Sequence, residues 1–129
     1  MTRRALGHFT TVFEALPIDD DTLGRMRIDK TIEGDLIGTG RAEMLSVGTP
    51  IDGSAGYVAL DRITGTLHGR AGSFVLQHYG LMDRGAATLI CQVVPDSGTD
   101  ELTGLTGTFR IDNDSEEHRY TFDYDITVR

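Results

Sequence analysis

Hydrophobic and polar residues alternate along most of the chain, in runs that end at glycine, proline, aspartate or asparagine. Alternation with a period of two is typical of β-strands that bury one face. Eight runs are predicted as strands: 6–14, 24–34, 36–47, 55–67, 72–82, 87–95, 102–111 and 117–128. The clearest breaks between them are 17–22, 49–53, 95–98 and 112–115, which contain turn-forming residues. Because eight strands suit barrel closure, we predict one all-β domain over residues 1–129, an eight-stranded antiparallel closed barrel.

The last run shows the clearest alternation. One face of this run is aromatic or aliphatic and carries His118, Tyr120, Phe122, Tyr124, Ile126 and Val128. Run 24–34 alternates similarly, and Lys30 then falls on its apolar face between Ile28 and Ile32. A lysine in this position reaches the barrel rim, pairs with an acidic residue, or stands inside a cavity. Glu43 on the next strand is a candidate partner for Lys30.

Runs 72–82 and 87–95 are apolar on both faces, as in Phe74-Val75-Leu76 and in 90–94. Such strands need cover on their outer side, which predicts a homo-oligomer or a covering terminal segment. Gln77 and His78 are adjacent, so only one of them points into the barrel. Either would give an apolar cavity a polar group that orients a ligand, or would form a hydrogen bond at a subunit interface.

Charge and composition narrow the range of partners. Twelve basic and twenty acidic side chains give a formal charge of -8, which disfavours nucleic acid and anionic membranes as partners. The two arginines near the N-terminus are not followed by an apolar run of signal-peptide length, so we expect a soluble, cytoplasmic protein. Sixteen glycines favour short strands and turns over long helices.

No established catalytic or cofactor motif is present in the sequence. Cys91 is the one cysteine, which excludes an internal disulfide, and its apolar neighbours indicate a small buried hydrophobe. The histidines lack metal-ligand spacing, and the glycines form no nucleotide-binding loop, so we expect neither a metal nor an organic cofactor. Four tyrosines fall on predicted strands, where they line a pocket or belong to the core: Tyr57, Tyr79, Tyr120 and Tyr124.

Several long segments together resemble a bacterial family of small uncharacterised proteins with a barrel like that of allene oxide cyclase. They are 24–30 (GRMRIDK), 34–36 (GDL), 53–59 (GSAGYVA), 64–70 (TGTLHGR), 72–80 (GSFVLQHYG), 94–99 (VPDSGT) and 101–105 (ELTGL). The resemblance implies an allene oxide cyclase-like barrel. Related barrels include cyclases that shape a flexible ligand in an apolar cavity without metal or organic cofactor. The resemblance assigns no catalytic residue to this chain.

Two functions follow as expectations. The first is a barrel that binds a small, largely apolar molecule and acts as a cofactor-free cyclase or isomerase on it. Its candidate ligand contacts are Lys30, Glu43, Tyr57, Gln77 and His78. The alternative is a non-enzymatic structural or interaction module, whose interior is filled by side chains and whose outer strands form a homo-oligomer. An interior void would favour the first, because a barrel of eight strands either fills its interior or holds one small ligand.

Overall fold

The structure, a computed structural model, describes residues 2–112 and 118–127. Its strands are β1 (Arg3–Ala15), β2 (Leu23–Gly34), β3 (Leu36–Gly48), β4 (Ala55–Leu67), β5 (Arg70–Asp83), β6 (Ala86–Val93), β7 (Leu105–Asp112) and β8 (His118–Ile126). Each strand overlaps one of the eight predicted runs, so the predicted all-β class is confirmed. A 3-10 turn at Asp100–Leu102 is the one helical segment in the described residues. Nothing helical in these ranges has the length and apolar character needed to span a membrane.

The sheet closes on itself. Strands that follow one another in sequence pair antiparallel, and β8 returns to pair with β1. At this closing seam, Ala5 lies opposite Phe122 and Phe9 lies opposite His118. This closure confirms the predicted eight-stranded antiparallel closed barrel. The shortest seam joins β6 to β7, where Gln92 opposite Thr108 is the one paired position among the described residues.

The alternation predicted for β2 and β8 decides which side chains enter the barrel. Tyr120, Phe122 and Tyr124 on β8 are buried, as are Ile28 and Ile32 on β2. These inward faces confirm the prediction for both strands. Val128, residue 117 and residues 113–115 of the last predicted break lie outside the described residues.

The predicted strand at 102–111 begins too early. Leu102 belongs to the 3-10 turn, Gly104 has a positive φ of 85°, and β7 begins at Leu105. The amide of Leu102 donates to the carbonyl of Thr99 at 2.8 Å, a bond to the third preceding residue that defines this tight turn. Leu102 and Leu105 are both fully buried although they are three residues apart, a spacing that would put them on opposite faces of a strand.

The two ends of the barrel interior are filled differently. We call the end where β1 begins and β8 ends the packed end, and the other the open end. Stacked and tilted rings fill the interior towards the packed end, with Phe74 at 5.7 Å and Phe109 at 5.5 Å from Phe122. Fully buried leucines complete this cluster: Leu36, Leu67, Leu102 and Leu105. At the open end, small residues such as Ala42 and Ala59 face inward and leave space unfilled.

Candidate functional site

A buried ion pair lies between the two ends. The Nζ of Lys30 on β2 is 2.7 Å from the Oδ2 of Asp61 on β4. The side chain of Lys30 is 9% exposed and that of Asp61 is 0% exposed. Lys30 also lies over the ring of Phe9, with Nζ 5.1 Å from the ring centroid. The ammonium is therefore held by a carboxylate on one side and an aromatic face on another.

Gly40 allows this ion pair to form across the strand between its partners. On β3, Gly40 pairs with Lys30 on one side and with Ile63 of β4 on the other. A Cβ atom at position 40 would lie 2.9 Å from Oδ1 of Asp61 and 2.9 Å from Cδ1 of Ile63. A side chain there would therefore displace the carboxylate. The absence of a side chain on Gly40 lets Lys30 reach over β3 to Asp61.

Asp61 is an ionised carboxylate in a buried position. Burial raises the pKa of its carboxyl, but the nearby imidazole of His78 and the ammonium of Lys30 outweigh burial, and the net pKa lies below the usual value. Its Oδ1 atom is buried and has no hydrogen-bond partner among the described residues. A buried acceptor left in this way is uncommon and costs stability. Through its other oxygen, Oδ2, the Asp61 carboxylate holds the Lys30 ammonium at 2.7 Å.

His78 and Cys91 extend the polar cluster onto β5 and β6. The Nε2 atom of His78 lies 3.6 Å from Oδ2 of Asp61 and 3.6 Å from Sγ of Cys91, its cross-strand neighbour. Burial raises the pKa of the Cys91 thiol to about 12, with the Lys30 charge acting in the opposite direction. The thiol therefore stays protonated near neutral pH. This confirms Cys91 as a buried small residue and argues against a nucleophilic thiolate.

The open end contains a cavity of about 210 Å³. Its wall is mostly apolar, and five of its residues carry polar groups: Lys30, Tyr57, His78, Thr11 and His118. The other lining residues are Phe9, Phe13, Ile28, Ala42, Met44, Ala59, Leu89 and Ile111. An apolar cavity of roughly 150 Å³ is large enough to bind benzene, so this one admits a substituted ring or a short branched chain. Phe13 and Leu89 are 55% and 39% exposed, which places them at its mouth.

Tyr57 enters the cavity wall beside Gly80. Any Cβ at position 80 would overlap the Tyr57 ring, because the ring packs directly on the backbone of β5. Burial, and secondarily Cys91, raises the pKa of the Tyr57 phenol, which therefore remains a hydrogen-bond donor. Its hydroxyl makes no hydrogen bond to other residues in the described ranges. Tyr57 and Lys30 thus both offer donors to the cavity.

Three of the five predicted ligand contacts meet at this cavity, and two do not. Lys30, Tyr57 and His78 line it. Glu43 points outward and pairs with Arg25, so the proposed pairing of Glu43 with Lys30 is wrong. Gln77 lies on the exposed outer face of β5, because its neighbour His78 takes the inward position. Glu43 and Gln77 therefore do not reach the cavity.

Asp61 was not among the predicted site residues. Its signal was available, because the inward face of β4 reads Tyr57, Ala59, Asp61 and Ile63, with one acid among apolar residues. The tyrosines divide as well: Tyr120 and Tyr124 are core residues, and Tyr79 lies outside with 44% exposure. Across residues 2–112 and 118–127, no group of three or more His, Cys, Asp or Glu side chains could hold a metal ion.

Fold and cavity together define a small antiparallel barrel that is packed at one end and hollow at the other. The chain belongs to the family described as protein of unknown function (DUF3224), whose model matches residues 10–124. It is also similar to the crystal structure, at 1.84 Å resolution, of a DUF3224 protein of unknown function from Shewanella oneidensis MR-1. That similarity has 40% sequence identity, a TM-score of 0.96 and complete coverage of both chains. No curated protein matches the sequence.

Proposed function

We propose that the open end of the barrel binds a small, largely apolar molecule that carries one oxygen acceptor. The observation that carries this proposal is the Lys30 ammonium, held by buried Asp61 on the wall of a mostly apolar cavity. Small-molecule sites typically combine an apolar lining with a few placed polar groups that fix orientation. The interior is filled only towards the packed end, which weighs against the alternative of a completely filled barrel.

The polar groups of the wall select the chemistry of the ligand. Lys30 has three N–H donors, and one of them binds Asp61. The phenol of Tyr57 supplies another donor. Because both groups donate, the matching ligand atom is an acceptor, such as a carbonyl oxygen. A ligand carboxylate fits less well, since it would place a second negative charge beside the buried Asp61.

A matched pair of probes tests the acceptor. Acetophenone and ethylbenzene have nearly the same shape and differ by the carbonyl oxygen. Titration calorimetry should show tighter binding of acetophenone, by roughly tenfold for one charge-assisted hydrogen bond. The double variant Lys30→Met/Asp61→Asn removes both charges together and should reduce this preference for acetophenone, because the Lys30 donor is lost while the Tyr57 donor remains. Equal binding of the two compounds by the unsubstituted protein would contradict the proposal.

Native mass spectrometry of the purified protein tests occupancy in the host. A retained small molecule should be lost from Ala59→Phe, because this substitution fills the cavity from a buried wall position. Ala71→Phe is the matched control, since Ala71 is exposed on β5 and lies away from the cavity wall. Equal retention of the molecule by both variants would place it elsewhere on the protein.

The second candidate function is cofactor-free isomerisation or cyclisation of a carbonyl compound. It is favoured by the presence of the Lys30 ammonium and the His78 imidazole on the same cavity wall. An ammonium at the carbonyl oxygen stabilises the enolate formed when a neighbouring C–H is deprotonated. His78 would accept that proton and return it to another carbon, so the double bond moves and no atom is gained or lost.

Deuterium exchange tests this chemistry with the same probe. In D2O, the protein should accelerate exchange of the methyl protons of acetophenone, and His78→Gln should remove the acceleration. Calorimetry on the same variant distinguishes lost catalysis from lost binding. Binding of acetophenone without any accelerated exchange would leave a binding protein and refute the catalytic function.

A further inference from the structure

An apolar patch covers the outside of the barrel on β3 to β6. We call it the outer apolar face, and it consists of Leu45, Val58, Leu60, Tyr79, Leu81 and Ile90. These six side chains are each 42 to 56% exposed. Four of them form a continuous row, because Leu45 pairs with Val58, Val58 with Tyr79, and Tyr79 with Ile90. Contiguous exposed apolar surface of this kind marks interaction sites in proteins.

Opposite charges stand at the two ends of this face. On β4, Arg62 lies opposite Val75 of β5, which is four residues before Tyr79. Asp83 lies on β5 four residues after Tyr79. At about 3.3 Å per residue, each charge is roughly 13 Å from the apolar row, on opposite sides. Neither side chain has an ion-pair partner within the described ranges. The equal spacing makes the face complementary to itself.

In the monomer, Arg62 also has a neighbour of like charge. It lies directly opposite Arg41 on β3, and like charges in this arrangement are destabilising. Arg41 has Asp29 as its partner, with Nε 3.2 Å from Oδ1, whereas Arg62 forms no ion pair in the described part of the chain. A carboxylate brought to Arg62 from outside would therefore relieve this repulsion.

We propose that two copies of this chain form a dimer through the outer apolar face, about a two-fold axis that runs along the row of Val58 and Tyr79. With this axis, the residues on one side of the row in the first copy face the residues on the other side of the row in the second copy. Arg62 then meets Asp83 of the partner subunit, and the same contact forms a second time by symmetry. A wholly acidic or wholly basic partner would leave one of the two charges unpaired, which favours a second copy as the occupant.

Substitutions on matched outer positions test the dimer. Sedimentation equilibrium of the full chain should give a dimer, and Val58→Asp should give a monomer, because it places a charge in the central row. Val12→Asp is the control, since Val12 is 68% exposed on the outside of β1, away from the face. A monomeric unsubstituted protein, or a Val58→Asp variant that dimerises normally, would overturn the proposal.

A charge exchange tests the axis without altering the apolar row. Arg62→Asp should weaken dimerisation by roughly tenfold or more, because it faces Asp83 of the partner subunit with a like charge twice. Adding Asp83→Arg in the same chain should restore the original dissociation constant. Both positions are exposed, so these variants should fold normally, as circular dichroism would check. A double variant as weak as Arg62→Asp would refute the two-fold pairing.

Discussion

At the packed end, Phe122 is 0% exposed and its ring lies among those of Phe74, Phe109 and Tyr124. At the open end, Phe13 is 55% exposed and borders the cavity. The same alternating pattern places both rings on the inner side of the sheet. The difference arises from their inward neighbours, which are large at one end and small at the other. One end thus provides stability, while the other leaves space for a ligand.

The largest expected effect is a difference in stability between the alanine variants of these two phenylalanines. Phe122→Ala should lower the free energy of unfolding by about 3–5 kcal/mol, because it opens a cavity in a close-packed cluster. Phe13→Ala should lower it by about 1 kcal/mol or less, since half of the ring is already in water. Urea unfolding of both variants measures the difference. Similar losses would show that the two ends do not differ in packing.

The ion pair between the ends should respond strongly to the loss of one partner. Lys30→Met leaves the Asp61 carboxylate buried without its cation, which should cost about 3–5 kcal/mol. Adding Asp61→Asn removes that charge and should recover most of the loss. Arg4→Met is the matched control, because the ion pair of Arg4 with Asp123 is exposed and its removal should have little effect. A double variant no more stable than Lys30→Met would contradict the assignment of the pair.

Removing the hydroxyl of Tyr120 or of Tyr57 should have a smaller effect on stability than the changes above. The Tyr120 hydroxyl accepts the Leu36 amide at 3.0 Å and can donate to the carbonyl of Glu33 or Leu36, so Tyr120→Phe should cost about 1–3 kcal/mol. Tyr57→Phe should leave stability nearly unchanged, because its hydroxyl has no partner in the described ranges. Instead, it should weaken acetophenone binding. Thermal unfolding and calorimetry on the two variants would reveal a reversed order if the roles were exchanged.

Acid should weaken the ion pair in a defined direction. The folded pKa of Asp61 lies below its usual value, near 3.9 in an unfolded chain, so its stabilising effect is complete above that value and is lost as pH falls through the folded pKa. Between pH 7 and pH 5, this carboxyl should not alter the stability difference between the original chain and Lys30→Met/Asp61→Asn. Below about pH 4, the difference should shift in favour of the double variant. Urea unfolding across this range measures it, and a shift already complete at pH 6 would contradict the assigned direction.

The smallest expected effect concerns Cys91. Burial and the raised thiol pKa of about 12 should make Cys91 unreactive towards a thiol reagent in the native state. Labelling should occur only after urea unfolds the chain. Fast labelling of the native protein would instead indicate that the seam between β6 and β7 opens.

Much of the fold was readable from the sequence, because a period of two identifies both a strand and its faces. That pattern placed Lys30 and Tyr120 on the apolar faces of their strands. The error at 102–104 arose because Leu102 and Thr103 read as part of the run of leucine and threonine that continues from Leu105, although Gly104 turns the chain between them. A positive φ at glycine leaves no mark in the hydrophobic pattern.

The candidate site was only partly readable, because pairing across strands depends on register. Glu43 appeared to be a neighbour of Lys30, but the register sets Gly40 beside Lys30 and turns Glu43 outward. A shift by one residue exchanges the two faces of a strand, and no local signal fixes it. The choice between Gln77 and His78 was ambiguous for a related reason. Apolar side chains occupy both faces of β5, and the outer apolar face removes the contrast that normally marks the inside.

The most direct test of a hollow, ligand-binding end is a titration of the methyl-labelled protein with acetophenone, followed by NMR. Shifts are expected for methyl groups of the cavity wall, such as Ala42, Ala59 and Leu89, and none for Leu36, Leu67 and Leu105 at the packed end. Shifts at the packed end, or no shifts at either end up to the solubility limit of the probe, would contradict ligand binding at the open end.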